Sequence, residues 1–304
     1  MNRQTESLDT LVIGGGVSGL ACAWHLRRNG LEVELWEGQQ EAGGKIRSRQ
    51  GQGWLTESGA TWLMDPAGDT TPILEGVGLG TLLTRKKPDA ARYLLRDGVL
   101  QDVPSTVAGM LRSKLFSFAG RMRLATEPFR PRLAIPGESV SDFVLRRFGR
   151  EVLQYGIEPY VAGSLASDVE LAEAKATLPR LTGLEERFGS ITAGVLCRRL
   201  QGAPRPGAPQ AASFSGGMQS LIDSLSVSVR PLLGKAAKSI SRVGSRWWVE
   251  AADGSVTSAR HLVVATPAQE TAALVRDLNQ TLAHLLDGIT YAPVMVVHLG
   301  FSRD

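Results

Sequence analysis

The sequence belongs to the α/β class: a parallel sheet flanked by helices, interrupted by an inserted α+β unit. Two observations predict this. Near the N-terminus, Leu11–Leu26 reads LVIGGGVSGLACAWHL, an apolar run, a glycine turn and a second apolar run. From residue 213 the chain returns to strand-and-helix texture after a stretch of short strands, turns and helices. One unit is therefore split by another, with boundaries at 1–65, 66–212, 213–275 and a last stretch, 276–304, that starts a return of strands to the inserted unit.

Thr10–Ile13 is β-branched and apolar and suits a buried parallel strand, and Val17–Arg28 places Leu20, Ala23, Trp24 and Leu26 at helical spacing. Between them lies Gly14-x-Gly16-x-x-Gly19. In a dinucleotide fold the first glycine makes the tight turn, the second lets the backbone approach a pyrophosphate, and the third lets helix and strand pack closely. The helix N-terminus then faces the phosphates with unpaired amides and partial positive charge. A secretory signal is the competing interpretation, because Ala21-Cys22-Ala23 resembles a cleavage site. The four glycines break its apolar helix, and Glu6 and Asp9 stand where it needs positive charge.

Glu32–Trp36 alternates as a second strand and ends at Glu37, 23 positions after Gly14, near the offset at which an acid accepts ribose hydroxyls. The negative charge disfavours a 2′-phosphorylated ligand. A solvated strand-end glutamate is the alternative. In GQQEAGGKIRS, Gly43 and Gly44 permit close backbone approach and Lys45 supplies a cation for phosphate. ARYLLRDGVLQDVP is a hairpin around Asp97-Gly98, and Ser139–Tyr155 is a helix with serines at its N-cap. Gln201–Ala212, rich in Gly, Pro and Ala, is a connection. Beyond it come a turn and helix in GGMQSLIDSL, a strand at Arg246–Glu250, a turn at Asp253-Gly254 and a buried strand in RHLVVATPA.

At 304 residues, 43% hydrophobic and 21% charged, the chain can bury a large core. Cys22 and Cys197 form no CxxC pair, and four scattered histidines have no metal-ligand spacing, so a reduced compartment and no metal are expected. No nucleophile elbow or P-loop is present, which leaves redox chemistry to a bound cofactor. The net charge is +4, yet Arg112–Arg150 holds nine basic against three acidic residues. With Leu115, Phe116, Phe118, Leu124 and Phe129 interleaved, that segment suits an anionic membrane surface or an acidic substrate, or else is a solvated helical face. No nucleic-acid fold signature accompanies it, so nucleic acid is not an expected partner. No stretch approaches the ~20 apolar residues of a membrane span.

GGGVSGLACAWHL, LWEG, GGKIRS, ESGATW, GGMQSLIDSL and VVATPA together resemble the flavin amine oxidase superfamily. IEPYVAGSLASDVELAEAKATLPRLTGLEERFGSITAGVL and YAPVMVVHLGF are similar to the protoporphyrinogen and coproporphyrinogen oxidases of haem synthesis. The resemblance implies FAD in a Rossmann-like domain, with Gly14, Gly15, Gly16, Val17, Ser18 and Gly19 at the pyrophosphate. It places Glu37 and Gly38 at the adenosine ribose, Gly43, Gly44 and Lys45 on the diphosphate side, and Gly59, Ala60, Thr61 and Trp62 beside the isoalloxazine. Ala237, where relatives have valine, meets the adenine through its main chain. Lys45 stands where relatives often carry arginine, and Ala60 where porphyrinogen oxidases have proline. Arg92 matches a family arginine assigned to a substrate propionate; a solvated strand-end arginine is its alternative.

The implied activity is oxidation of a porphyrinogen to a porphyrin, with molecular oxygen as acceptor, the flavin carrying the chemistry and no catalytic side chain. The expected location is the cytoplasm, with peripheral contact at the inner face of a membrane, and a homodimer remains open. Competing activities are an amine oxidase, a carotenoid-type desaturase or a fragment without catalysis. Val294–Leu299 is expected as a mid-sheet strand. Because family members continue past it with further substrate strands and a second glycine-rich flavin segment, a truncated oxidase is expected.

Overall fold

The computed structural model describes residues 8–64, 70–85, 93–104, 107–133, 135–201 and 211–301. Strand β1 (Leu8–Ile13) is buried on both faces, which places it inside a sheet. Helix α1 (Val17–Arg28) starts after Gly16, and β2 (Val33–Glu37) follows. A hairpin of β3 (Ser48–Gly51) and β4 (Trp54–Glu57) comes next, then β5 (Leu63–Met64), α2 (Thr71–Gly76) and β6 (Leu83–Arg85).

The inserted unit opens with the hairpin of β7 (Tyr93–Arg96) and β8 (Val99–Asp102). Asp97 and Gly98 both take positive φ, +51° and +75°, as a two-residue turn matched to strand twist requires. The rest is helical: α3 (Val107–Arg112), α4 (Phe118–Ala125), a 3₁₀ turn at Glu127–Phe129, α5 (Val140–Arg147), α6 (Arg150–Val152), a π-turn at Leu153–Ile157, α7 (Glu158–Leu165), α8 (Ala174–Thr177), α9 (Pro179–Phe188) and α10 (Ile191–Leu200). Ser139 caps α5 as expected, its Oγ accepting from Asp142 N at 3.1 Å. The single helix expected over Ser139–Tyr155 is instead broken at Gly149, whose φ of +89° lies outside the helical region. Val140, Phe143, Val144 and Val161 centre the core of this unit.

The chain returns through β9 (Ala211–Phe214), α11 (Gln219–Val229), β10 (Leu232–Leu233), β11 (Ala237–Val243), β12 (Arg246–Ala251), β13 (Val256–Val264), α12 (Ala268–Val275) and α13 (Gln280–Asp287). The large sheet has the order β10-β2-β1-β13-β12-β11. Its first four strands are parallel, and β12 and β11 pair antiparallel, so the sheet is mixed rather than wholly parallel. The cause is local: the tight turn at Asp253-Gly254 can only join antiparallel neighbours. Along β1 the side chains alternate between two cores. Val12 meets Leu20 and Trp24 of α1 and Leu221 and Leu225 of α11, while Leu11 and Ile13 meet Trp36, Ile240 and Val249 on the other face.

Two compact units result: residues 1–86 with 209–291 and 295–304, and residues 87–208 with 292–294. Most of the expected connection, 202–210, lies outside the described residues, and its last two residues belong to β9. The last stretch differs from expectation. Gln280–Asp287 is a helix capped by Asn279, whose side chain accepts from Leu282 N at 2.9 Å. Val294–Leu299 forms no strand and is largely exposed, having no neighbouring strand among the described residues to satisfy its amides. No described helix is long and apolar enough to cross a membrane.

Candidate cofactor cleft

The parallel strands β2, β1 and β13 end at one rim of the sheet, and the loops leaving them enclose a cleft of about 810 Å³. Clefts of this kind form at the carboxyl ends of strands in open α/β sheets. At its floor Gly14 has φ +107°, and a Cβ there would stand 2.7 Å from Ala265 O. At Gly19 a Cβ would run into the Gly14 carbonyl. These two positions therefore admit only glycine. Gly16, the N-cap of α1, lends its helix no side-chain cap, and the space its missing Cβ would occupy is open for 4 Å. Amides of the first helical turn thus face open space beside the glycine turn, where a helix N-terminus favours an anion.

Glu37 closes one side. Its Oε2 accepts the Gly15 amide at 2.6 Å and its Oε1 the Gln39 amide at 2.8 Å, so the carboxylate is fixed at the end of β2 beside the glycine turn. The Gly43-Gly44 loop is drawn against the same turn by a bond from Gly43 N to Gly15 O at 2.8 Å. Lys45 follows on the cleft wall.

Of the residues singled out in the sequence, Gly14, Gly16, Val17, Ser18, Glu37, Gly38, Gly44, Lys45 and Ala237 line the cleft. Gly15, Gly19 and Gly43 are buried behind its wall and shape it. Gly59, Ala60, Thr61 and Trp62 are exposed and do not line it. Arg92 lies outside the described residues. The sequence did not single out Lys235, Thr266, Glu270 or Tyr291, which also line the cleft. Lys235 is brought in because β10 runs beside β2: its Nζ stands 4.1 Å from the Trp36 ring centroid and 3.7 Å from Glu34 Oε1. Tyr291 accepts from Ala268 N at 3.0 Å and so covers the first turn of α12. No local pattern marks either residue.

The basic segment is divided by the fold. Leu115, Phe116 and Leu124 are core residues, and Arg146 and Arg147 are committed to ion pairs with Glu138, Glu185 and Glu127. Phe118 and Phe129 are exposed, as are Arg112, Lys114 and Arg132.

A family model described as flavin containing amine oxidoreductase matches residues 17–304. The chain belongs to this family. It is 33% identical over 247 residues to the mitochondrial protoporphyrinogen oxidase of Nicotiana tabacum, an alignment covering 75% of this chain and 49% of the tobacco protein. It is 26% identical over 316 residues to the coproporphyrinogen III oxidase of Bacillus subtilis, covering 96% of this chain and 66% of that protein. An Exiguobacterium crystal structure assigned provisionally as a protoporphyrinogen oxidase superposes with a TM-score of 0.75 at 23% identity, covering 92% of this chain and 64% of that one. At that identity the likeness shows the fold. The chain spans about half the length of the tobacco relative.

Proposed function

We propose that the chain binds FAD in this cleft and forms the cofactor-holding part of an oxidase that converts a porphyrinogen to a porphyrin, with oxygen as acceptor. The observation that carries the cofactor is the open cradle at Gly16 with Glu37 fixed beside it by the Gly15 amide. Gly14, Gly16, Val17, Ser18, Gly44 and Lys45 would hold the diphosphate, Glu37 and Gly38 the ribose, and the main chain at Ala237 the adenine. Gly59–Trp62 would approach the isoalloxazine. The names of the tobacco and Bacillus relatives support the substrate.

The bound flavin supplies a hydride acceptor that oxygen can restore. This chain's residues would bind and orient, the flavin carrying the chemistry. The helical unit would meet the acidic macrocycle, with Arg92 at a propionate. Exposed Phe118 and Phe129, with the exposed Arg112, Lys114 and Arg132 of the same segment, would rest on an anionic membrane surface. Attachment to such vesicles should then be reversed by salt, because exposed charges are screened within about 10 Å at 0.1 M salt. Co-sedimentation with acidic lipid checks this; equal recovery in the supernatant at low and high salt would sink the membrane contact.

The function is tested in two steps. The purified chain is titrated with FAD by flavin fluorescence, then incubated aerobically with reduced protoporphyrin or coproporphyrin. Binding is expected in the first, and porphyrin fluorescence, faster than in a protein-free control, in the second. Absence of FAD binding would overturn the cofactor assignment, and FAD binding without porphyrin formation would overturn the assignment of activity to this chain.

A further inference from the structure

We propose that Glu57, together with Ser48, is a positioning residue of the flavin site that sets the course of Gly59–Trp62 past Lys45. The inference rests on the FAD assignment above.

Helix α11 begins without a cap of its own, since Met218 contributes no side-chain hydrogen bond to the first turn. The cap comes from 161 residues away: Glu57 Oε1 accepts Met218 N at 2.8 Å. Ser48 Oγ accepts Gln219 N at 2.9 Å and donates to Glu57 Oε2 at 2.7 Å. The arrangement is a closed set in which a carboxylate and a hydroxyl from the β3–β4 hairpin satisfy two amides at a helix N-terminus, where negative charge is favoured. It also dictates the residue before the helix. Gly217 has φ +85°, and a Cβ there would run into Ser48 Oγ and stand 2.9 Å from Glu57 Oε1.

The hairpin so clamped leads directly into the segment of interest. Ser58 N bonds Arg47 O at 2.8 Å, and at Gly59 a Cβ would run into the Lys45 carbonyl. Lys45 lines the cleft. Glu57 therefore touches nothing in the cleft yet braces the strand that leads into the Gly59–Trp62 segment. Removing its carboxylate leaves the Ser48–Gln219 bond as the remaining tie of this cap and loosens the end of β4, from which Gly59–Trp62 departs.

A positioning role differs from general stabilisation in which ligand it affects. ADP reaches the adenosine and diphosphate parts of the cleft only, whereas FAD also needs the segment at the isoalloxazine. Glu57→Ala, Glu57→Gln and Ser48→Ala are made in the 304-residue chain. FAD affinity is read by flavin fluorescence, ADP affinity by calorimetry and stability by melting the cofactor-free proteins. Glu57→Ala is expected to weaken FAD binding about tenfold or more and ADP binding less than about threefold, because only FAD depends on the position of Gly59–Trp62. Glu57→Gln keeps an oxygen acceptor for Met218 N and should recover FAD binding to within about threefold. Ser48→Ala should show a smaller loss, again larger for FAD than for ADP. Equal losses for FAD and ADP, or unchanged FAD affinity in Glu57→Ala, would overturn the role. If Glu57→Ala does not fold, unchanged FAD affinity in Ser48→Ala does the same. A wild-type chain that binds neither ligand overturns the FAD assignment itself, and the inference with it.

Discussion

Both carboxylate oxygens of Glu37 are engaged by backbone amides, yet each retains a second lone pair, so ribose hydroxyls can be received without breaking either bond. The amides fix the carboxylate in advance, which spares the ordering cost that a free side chain would incur on binding. A hydrogen bond to a charged group contributes about 1.5–3 kcal/mol, so Glu37→Ala should weaken FAD binding roughly 10- to 150-fold. Flavin fluorescence titration measures it, and an affinity equal to wild type would remove Glu37 from the site. The residue was legible in sequence because its role is local, a strand end at a fixed distance from a glycine turn. Lys235 and Glu57 were not, because what places them is pairing between segments some 160 to 200 residues apart, and their neighbours in sequence carry no trace of it.

Among the elements, β1, α1 and β2 were readable because apolar period, glycine turn and acidic strand end agree on one local structure. Within 276–304, where returning strands are expected, Asn279 and the spacing of Leu282, Leu285 and Leu286 carry a helix signal, and it is the apolar run after it that resembles a strand. Strand identity at Val294–Leu299 depends on a neighbour, and a sequence pattern does not supply one. Helix α11 shows the energetics of an amphipathic element. Leu225 is wholly buried against α1, whereas Val227, two residues on, is 76% exposed. Leu225→Ala should therefore cost about 2–5 kcal/mol in urea unfolding, and Val227→Ala within about 0.5 kcal/mol. Equal midpoints for the two variants would contradict the packing of α11 on α1.

At the scale of the molecule, the two units are held by different physics, and pH should separate them. The sheet unit rests on apolar layers either side of β1. The helical unit adds a buried ionic centre. Glu127 and Arg147 are both fully buried and paired, and Arg147 also donates to Gly189 O at 3.1 Å and to Arg130 O and Pro131 O at 3.3 Å. Beside them Arg146 holds Glu138 by two bonds of 2.8 Å and Glu185 at 2.6 Å. Burial pushes the Glu127 carboxyl up, but hydrogen bonds from Ser190 Oγ at 2.7 Å, Thr192 N at 3.0 Å and Ile191 N at 3.1 Å outweigh it and hold the group below the ordinary carboxylate value of 4.5. A carboxyl depressed on folding contributes stability that is fully present above its unfolded value and is lost as pH falls through its folded one. The helical unit should thus keep its stability from pH 7 down to about 4.5 and lose it progressively below. Glu127→Gln leaves buried Arg147 with only its longer contact to Glu185 Oε1 at 3.4 Å as counter-charge, which should cost about 3 kcal/mol at pH 7, and it removes the titrating group. The variant's unfolding midpoint should accordingly start lower and fall less steeply below pH 4.5 than that of the wild type. Chemical unfolding followed by circular dichroism at pH 7, 5 and 3.5 reads both effects, and parallel pH profiles for the two proteins would show that the acid sensitivity lies elsewhere.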